Sequence, residues 1–304
     1  MTYWRSVLLV LLGASSYGVL SLVMKLGFAA GFTPIELSGS QLLFGGLIMV
    51  LLAALFSKER FRFRYVLTLV PVSLMMALAS FLYNQAVSHL SASLAIVLFF
   101  QFTWFGILLE AVANRKWPSL ENWISMLMLA VGTIFASGLG GSGLGDVSLF
   151  GVVCGLLSGF SFATVIFMSG RILPSLNPYL RSAISICLAS LLLSLVYPPA
   201  FLTNGRLMDG LLPYALLVAL FGSVIPIFCL AVSVPRLGNG LVTILSAMEL
   251  PAVVLLANFV LKEQVDLSQW SGVLLILAAI ALPQIKWRKL FFPSRAIQEK
   301  SGSL

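Results

Sequence analysis

Glu249 is an acid with apolar sequence on both sides, inside the run from Leu237 to Leu261, and Pro251 follows two positions later. No other Asp or Glu of the chain lies so deep in a hydrophobic segment. If the run is a helix across a bilayer, a carboxyl about eleven residues from its end lies roughly 16 Å in, near the midplane. A charge there costs about 3 kcal/mol on insertion scales, so such a group usually faces a polar cavity and serves it. Three roles fit: a partner for a substrate amine, a proton carrier, or a neutral hydrogen-bonding group that joins two helices.

Other polar groups fall at similar depth. Gln101, Ser16, Tyr17, Ser158, Ser161 and Ser223 are all near the middle of apolar runs. If their faces converge, they make a polar ring level with Glu249. Trp104, Tyr83 and Phe160 are candidate aromatic walls, with Asn84 nearer one mouth. The plainer alternative is that Ser hydroxyls bond back to their own helix. Gln101 is the strongest of the set, because a primary amide is hard to satisfy in lipid. Lys25 and Glu110 are candidate gating residues, Glu110 with Arg115 in reach, though both also fit interfacial structural roles. Pro226 and Pro251 each leave a carbonyl unpaired one turn earlier, which suits hinges or binding groups.

Other chemistry finds little support. His89 is the one histidine and has no evident catalytic partner, and no metal-ligand spacing occurs. Cys154, Cys187 and Cys229 all lie in apolar runs and read as small buried hydrophobes. The stretch 138–143 formally matches GxGxxG, but no strand precedes it and no βαβ unit surrounds it, so it reads as a flexible link. Nothing implies a cofactor, and no nucleotide-binding domain is evident.

The elements that must position these residues are membrane helices. The chain has 304 residues, 60% hydrophobic and 9% charged, with mean hydropathy +1.06. The apolar runs are long and continuous, which selects helices over a barrel. Ten runs approach spanning length: 7–27, 35–56, 66–86, 91–111, 121–138, 148–169, 179–200, 211–233, 238–261 and 269–285. With the N-terminus in the cytoplasm, fifteen Lys and Arg fall on the inner side and three, Lys25, Arg206 and Lys262, on the outer. That bias sets the orientation N-in and C-in. It also accounts for the net charge of +8 without a nucleic-acid partner. The basic tail 286–304, with Trp287, Phe291 and Phe292, reads as an anchor on anionic lipid.

The halves echo each other. Gly13 and Ser16 in the first run answer Gly155 and Ser158 in the sixth; Thr33-Pro34 answers Asn177-Pro178; the stretch 90–94 answers 237–241. Five spans per half turn the second half over, giving an inverted repeat. The expected organisation is a first repeat at 1–138, a linker at 139–147, a second repeat at 148–285 and the tail. Gly151, Gly155 and Gly159 form a small-residue stripe on the sixth run, suited to close internal packing and, secondarily, to dimerisation.

On these features the chain resembles the drug/metabolite transporter superfamily, in its EamA-type group of ten-helix carriers. The most specific stretch is Glu249-Leu250-Pro251, followed by Lys262-Glu263 and by Gly272 in the tenth run. Gln101-Phe102-Thr103-Trp104 occupies the equivalent place in the first half. The resemblance implies a basket of helices 1, 3, 4, 6, 8 and 9 around a central cavity, with helices 5 and 10 outside it. The chain departs from the family pattern at Gln41, where an Arg is usual, at Trp104 in place of a proline, and at Arg115 in place of an acid.

The expected function is therefore a secondary transporter, an exporter of small organic solutes such as amino acids, working by alternating access in the cytoplasmic membrane of a bacterium. The partners are the solute, membrane lipids and, as one open option, a proton; monomer and homodimer both stay open. A channel-like facilitator is the alternative, with a membrane enzyme or a non-transporting scaffold further behind.

Overall fold

In the computed structural model, residues 3–90, 92–136, 148–260 and 266–282 are described, and among them every regular element is a helix. The glycine run 138–145, the Lys262-Glu263 turn and the basic tail lie outside the described residues. The first half contains α1 (Tyr3–Ala29), α2 (Pro34–Phe56), α3 (Phe63–His89), α4 (Ala92–Phe99), α5 (Phe102–Asn114) and α6 (Leu120–Ala136). The second contains α7 (Leu149–Ser169), α8 (Pro178–Val196), α9 (Leu212–Ala219), α10 (Ile225–Leu237), α11 (Asn239–Ser246), α12 (Glu249–Phe259) and α13 (Leu267–Ala281). Among the described residues, eight helical stretches are long and apolar enough to cross a bilayer, and α6 and α13 are shorter apolar helices. Large apolar side chains such as Leu55, Val112 and Leu195 stay exposed on the outside of the bundle, the surface a lipid solvent accepts.

Equivalent helices begin with the same device. Thr33 caps α2 in a full capping box with Glu36, and Pro34 occupies its first turn. Asn177 caps α8 through the Tyr179 N–H, and Pro178 follows. Pro has no N–H to leave unpaired there, and the capping side chain satisfies one that remains.

Much of the packing repeats when the halves are exchanged. Helix α3 packs on α7 and α8, as α10 packs on α1 and α9 on α2. The α4–α5 pair packs on α7, as α11–α12 packs on α1. Two contacts map onto themselves: α2 with α8 and α6 with α13. Glycines let the backbones meet. A Cβ on Gly159 would lie 2.6 Å from the Phe99 carbonyl oxygen, and Gly155 abuts Leu98. The stripe on α7 is thus used inside the fold, against α4 and the end of α3.

Two runs that read as continuous spans are broken, both after eight residues. In the fourth run, Gln101 N–H donates to Leu98 O and Thr103 N–H to Phe100 O. In the ninth, Ala247 N–H donates to Ile244 O, Met248 N–H to Leu245 O and Leu250 N–H to Ala247 O. These i to i−3 bonds are 3₁₀ in character and tighten the chain between two α segments. Pro251 has no N–H to give Ala247 O, so Leu250 takes that carbonyl. Glu249 accordingly opens the segment α12 instead of lying inside one long helix, at the end of a helix dipole that favours an anion.

The eighth run contains a π turn, Leu220–Val224, ahead of Pro226. Ile225 N–H donates to Leu220 O, five residues back. Phe221 O thereby loses its usual donor, and Pro226 has none to offer Gly222 O. Neighbouring helices fill both places: Ser16 Oγ donates to Phe221 O at 2.6 Å and Gln41 Nε2 to Gly222 O at 2.9 Å.

Polar contacts gather the connections at two ends. Arg171 meets Asn114, and Asn177 N–H meets Glu59. At the other end Arg206 pairs with Glu36 at 3.5 Å, and Gln85 bonds Tyr197.

Candidate functional site

A cavity of about 180 Å³ lies between the halves. Its walls come from α1 (Tyr17, Leu20, Ser21, Met24), α2 (Ser38, Gln41, Leu42), α3 (Leu69 to Tyr83) and α4 (Phe99). The second half adds Phe162, Val165 and Ser169 of α7, Arg181, Ser182 and Ser185 of α8, Gly222 and Ser223 of the π turn, residues of α10, and Glu249. Among the described residues α6 and α13 contribute none to the lining, as the resemblance implied for the fifth and tenth spans. The second and seventh spans, which the implied basket did not include, also line it.

Of the candidate residues, Glu249, Tyr17, Tyr83 and Ser223 meet at this cavity. Glu249 is within electrostatic range of both phenol groups. Tyr17 meets Phe162 edge-on at 6.1 Å, Phe162 lies 5.3 Å from Phe99, and Phe99 lies 5.3 Å from Tyr83. These four rings make one continuous aromatic wall. Ser223 and Ser182 are buried, and neither hydroxyl has a hydrogen-bond partner among the described residues. A membrane-helix hydroxyl that does not bond back to its own helix still has a hydrogen bond to make.

The other candidates sit elsewhere. Gln101 does not line the cavity; its amide bonds back to Val97 O at 3.1 Å. Ser158 and Ser161 bond to Gly155 O and Leu157 O within α7. Ser16 supports the π turn. Phe160, 39% exposed, meets Phe105 edge-on at 5.5 Å, and Trp104 packs on Trp123. Asn84 accepts from Ser38 Oγ at 3.3 Å and lines a separate cavity of about 70 Å³ with Glu36 and Tyr197.

The gating candidates are also redistributed. Glu110 is joined to the backbone N–H of Gly240, in the first turn of α11, instead of to Arg115. Beside it Asn239 Nδ2 donates to Gly106 O at 2.8 Å, and Gly106 lies directly against Thr243. This knot ties α5 to α11. Lys25 is exposed near the end of α1. Pro226 is buried against Gly13, and Pro251 follows Glu249 in the first turn of α12.

Four lining residues in particular escaped the sequence reading. Gln41 stands where the family pattern has Arg, and that departure was the available signal. Phe99 and Phe162 had none, because these helices are apolar on all sides and periodicity does not single out a face. Arg181 counts in the sequence only among the inner-side charges, yet it is 4% exposed. Its Nη1 donates to Leu173 O at 3.2 Å and its Nη2 to Ala231 O.

The EamA-like transporter family model matches residues 4–138 and again 149–283. The chain therefore belongs to the EamA-like transporter family, whose members are membrane transporters of small solutes and not enzymes. No curated protein matches it in sequence. A solved chain described as "Crystal structure of protein" superposes with a TM-score of 0.78 at 14% identity, over 95% of this chain and 100% of that one. At that identity the likeness shows the fold alone.

Proposed function

We propose that this chain is a secondary carrier that exports amino acids or closely related metabolites across the cytoplasmic membrane of a bacterium. Ten spans, N-in and C-in, form two inverted five-helix repeats at 1–138 and 148–285, joined by the linker 139–147 and followed by the basic tail 286–304. Basic residues crowd the inner side, and an odd number of spans per half inverts the second repeat. One half rocks against the other and opens the cavity to each side in turn.

The observation that carries this reading is the placing of Glu249. It opens a broken helical segment and faces a cavity whose walls come from both halves. Discontinuous helices at a repeat interface are where transporters hold solutes and coupling ions. Glu249 takes the solute's amine or exchanges it for a proton. Ser223 offers a further hydrogen bond, and the wall from Tyr17 to Tyr83 holds the apolar part. A single chain lines the cavity, so a monomer suffices and a homodimer would carry two such sites.

Liposomes reconstituted with wild type or Glu249→Gln test this by L-leucine counterflow across a pH series. Saturable counterflow in wild type, reduced tenfold or more in the variant (about 1.4 kcal/mol), is the expected outcome. Equal rates at every pH sink the role of Glu249, and no counterflow of any amino acid in wild type sinks the substrate class.

A further inference from the structure

Arg181 is a buried cation in an unfavourable place. It lies in the first turn of α8, where the helix dipole repels positive charge. Its residue surface is only 4% exposed, so the guanidinium is held inside the protein and not in open solvent. Its guanidinium donates to two backbone carbonyls, Leu173 O and Ala231 O, and among the described residues no carboxylate pairs with it. Buried charges are normally paired. A guanidinium has five N–H donors in a planar fork, so donors remain after these two bonds.

Arg181 and Ser182 both line the cavity. The Ser182 hydroxyl is buried, 1% exposed, and has no partner among the described residues. Among the described lining residues Glu249 is the one carboxylic acid and Arg181 the one basic side chain.

We propose that Arg181 and Ser182 form a carboxylate-binding subsite of this cavity, so that the solute carries a carboxylate and is not a simple amine. The inference rests on the carrier function proposed above and names its substrate class. The guanidinium fork supplies the charge and parallel donors that a carboxylate matches, and the Ser182 hydroxyl supplies another. A site built this way rejects an analogue that lacks the charged group, because its buried donors are then left unmatched.

The test compares counterflow of L-leucine with that of L-leucinamide, which keeps the amine and side chain but replaces the carboxylate with a neutral amide. Wild type is expected to prefer leucine about tenfold or more. Arg181→Gln should abolish that preference while leaving leucinamide counterflow within about threefold of wild type. Ser182→Ala should reduce the preference severalfold, and this arm decides the matter if Arg181→Gln does not fold. An unchanged preference in a folded variant overturns the subsite, as does an equal loss of both substrates in Arg181→Gln, which marks a structural arginine. Wild type that exchanges both compounds equally keeps the carrier and discards the subsite; wild type that exchanges neither discards both.

Discussion

The side-chain amide of Gln41 donates to the Gly222 carbonyl at 2.9 Å, at the wall of the central cavity. The carbonyl is open to it because Pro226, four residues on, has no N–H. A proline in one half is thus answered by a polar side chain in the other. The contact joins α2 to the π turn of the eighth span, and one wall of the cavity takes its form from it.

This relationship predicts an interaction between two substitutions. Gln41→Leu strands the Gly222 carbonyl and should destabilise the protein by about 1–3 kcal/mol. Pro226→Ala supplies the missing N–H, so the double variant should recover part of the loss. Thermal unfolding of the four proteins in detergent measures the coupling, and strictly additive shifts would contradict the explanation.

Glu110 predicts a second effect, at the other broken span. Its carboxylate accepts from the Gly240 N–H in the first turn of α11, where an acid satisfies an otherwise open donor and meets the helix dipole favourably. Glu110→Ala should cost about 0.5–2 kcal/mol. Glu110→Gln keeps an acceptor oxygen and should cost less. Arg115→Ala should change little, since Glu110 is committed to Gly240. The same unfolding assay ranks the three, and a larger loss for Arg115→Ala would restore the ion pair that sequence spacing suggests.

The close approach of α7 to the break in the fourth span gives a third prediction. Gly159→Ala would bring a Cβ to 2.6 Å from the Phe99 carbonyl oxygen, a backbone atom that cannot swing aside. Gly39→Ala would meet only an edge atom of the Phe201 ring, at 3.2 Å. The first should destabilise by about 1–3 kcal/mol and the second by clearly less. Comparable melting temperatures for the two would show that α7 and α4 can separate at little cost.

Hydropathy made the spans legible, and the paired Thr33-Pro34 and Asn177-Pro178 starts made the repeat legible. Glu249 declared itself because one acid among apolar residues needs a reason. Helix faces were not legible: with apolar residues all round, nothing in the spacing separates Phe160 from Phe162 or says where the Gln101 amide turns. The break ahead of Gln101 also left no mark, since Trp104 stands where Pro251 marks the break before Glu249. The burial of Arg181 was not legible for a related reason: counted as an inner-side charge three positions after Pro178, it shows its surroundings only once α8 is packed.

The two phenylalanines allow the site itself to be tested. Phe162 lines the cavity between Tyr17 and Phe99, with ring centroids at 6.1 and 5.3 Å, whereas Phe160 is 39% exposed and packs on Phe105. Removing the Phe162 ring takes contact area from a solute lying against the aromatic wall. Phe162→Ala should raise the half-saturation concentration for L-leucine counterflow about tenfold, roughly 1.4 kcal/mol. Phe160→Ala removes a ring that the solute does not reach and should leave that concentration within about twofold. Both variants lose the same atoms two positions apart on α7, so a general weakening of that helix would affect them alike. A larger effect at Phe160 would mean that the solute passes on the other side of α7, and that the cavity enclosed by Tyr17, Glu249 and Tyr83 is not its path.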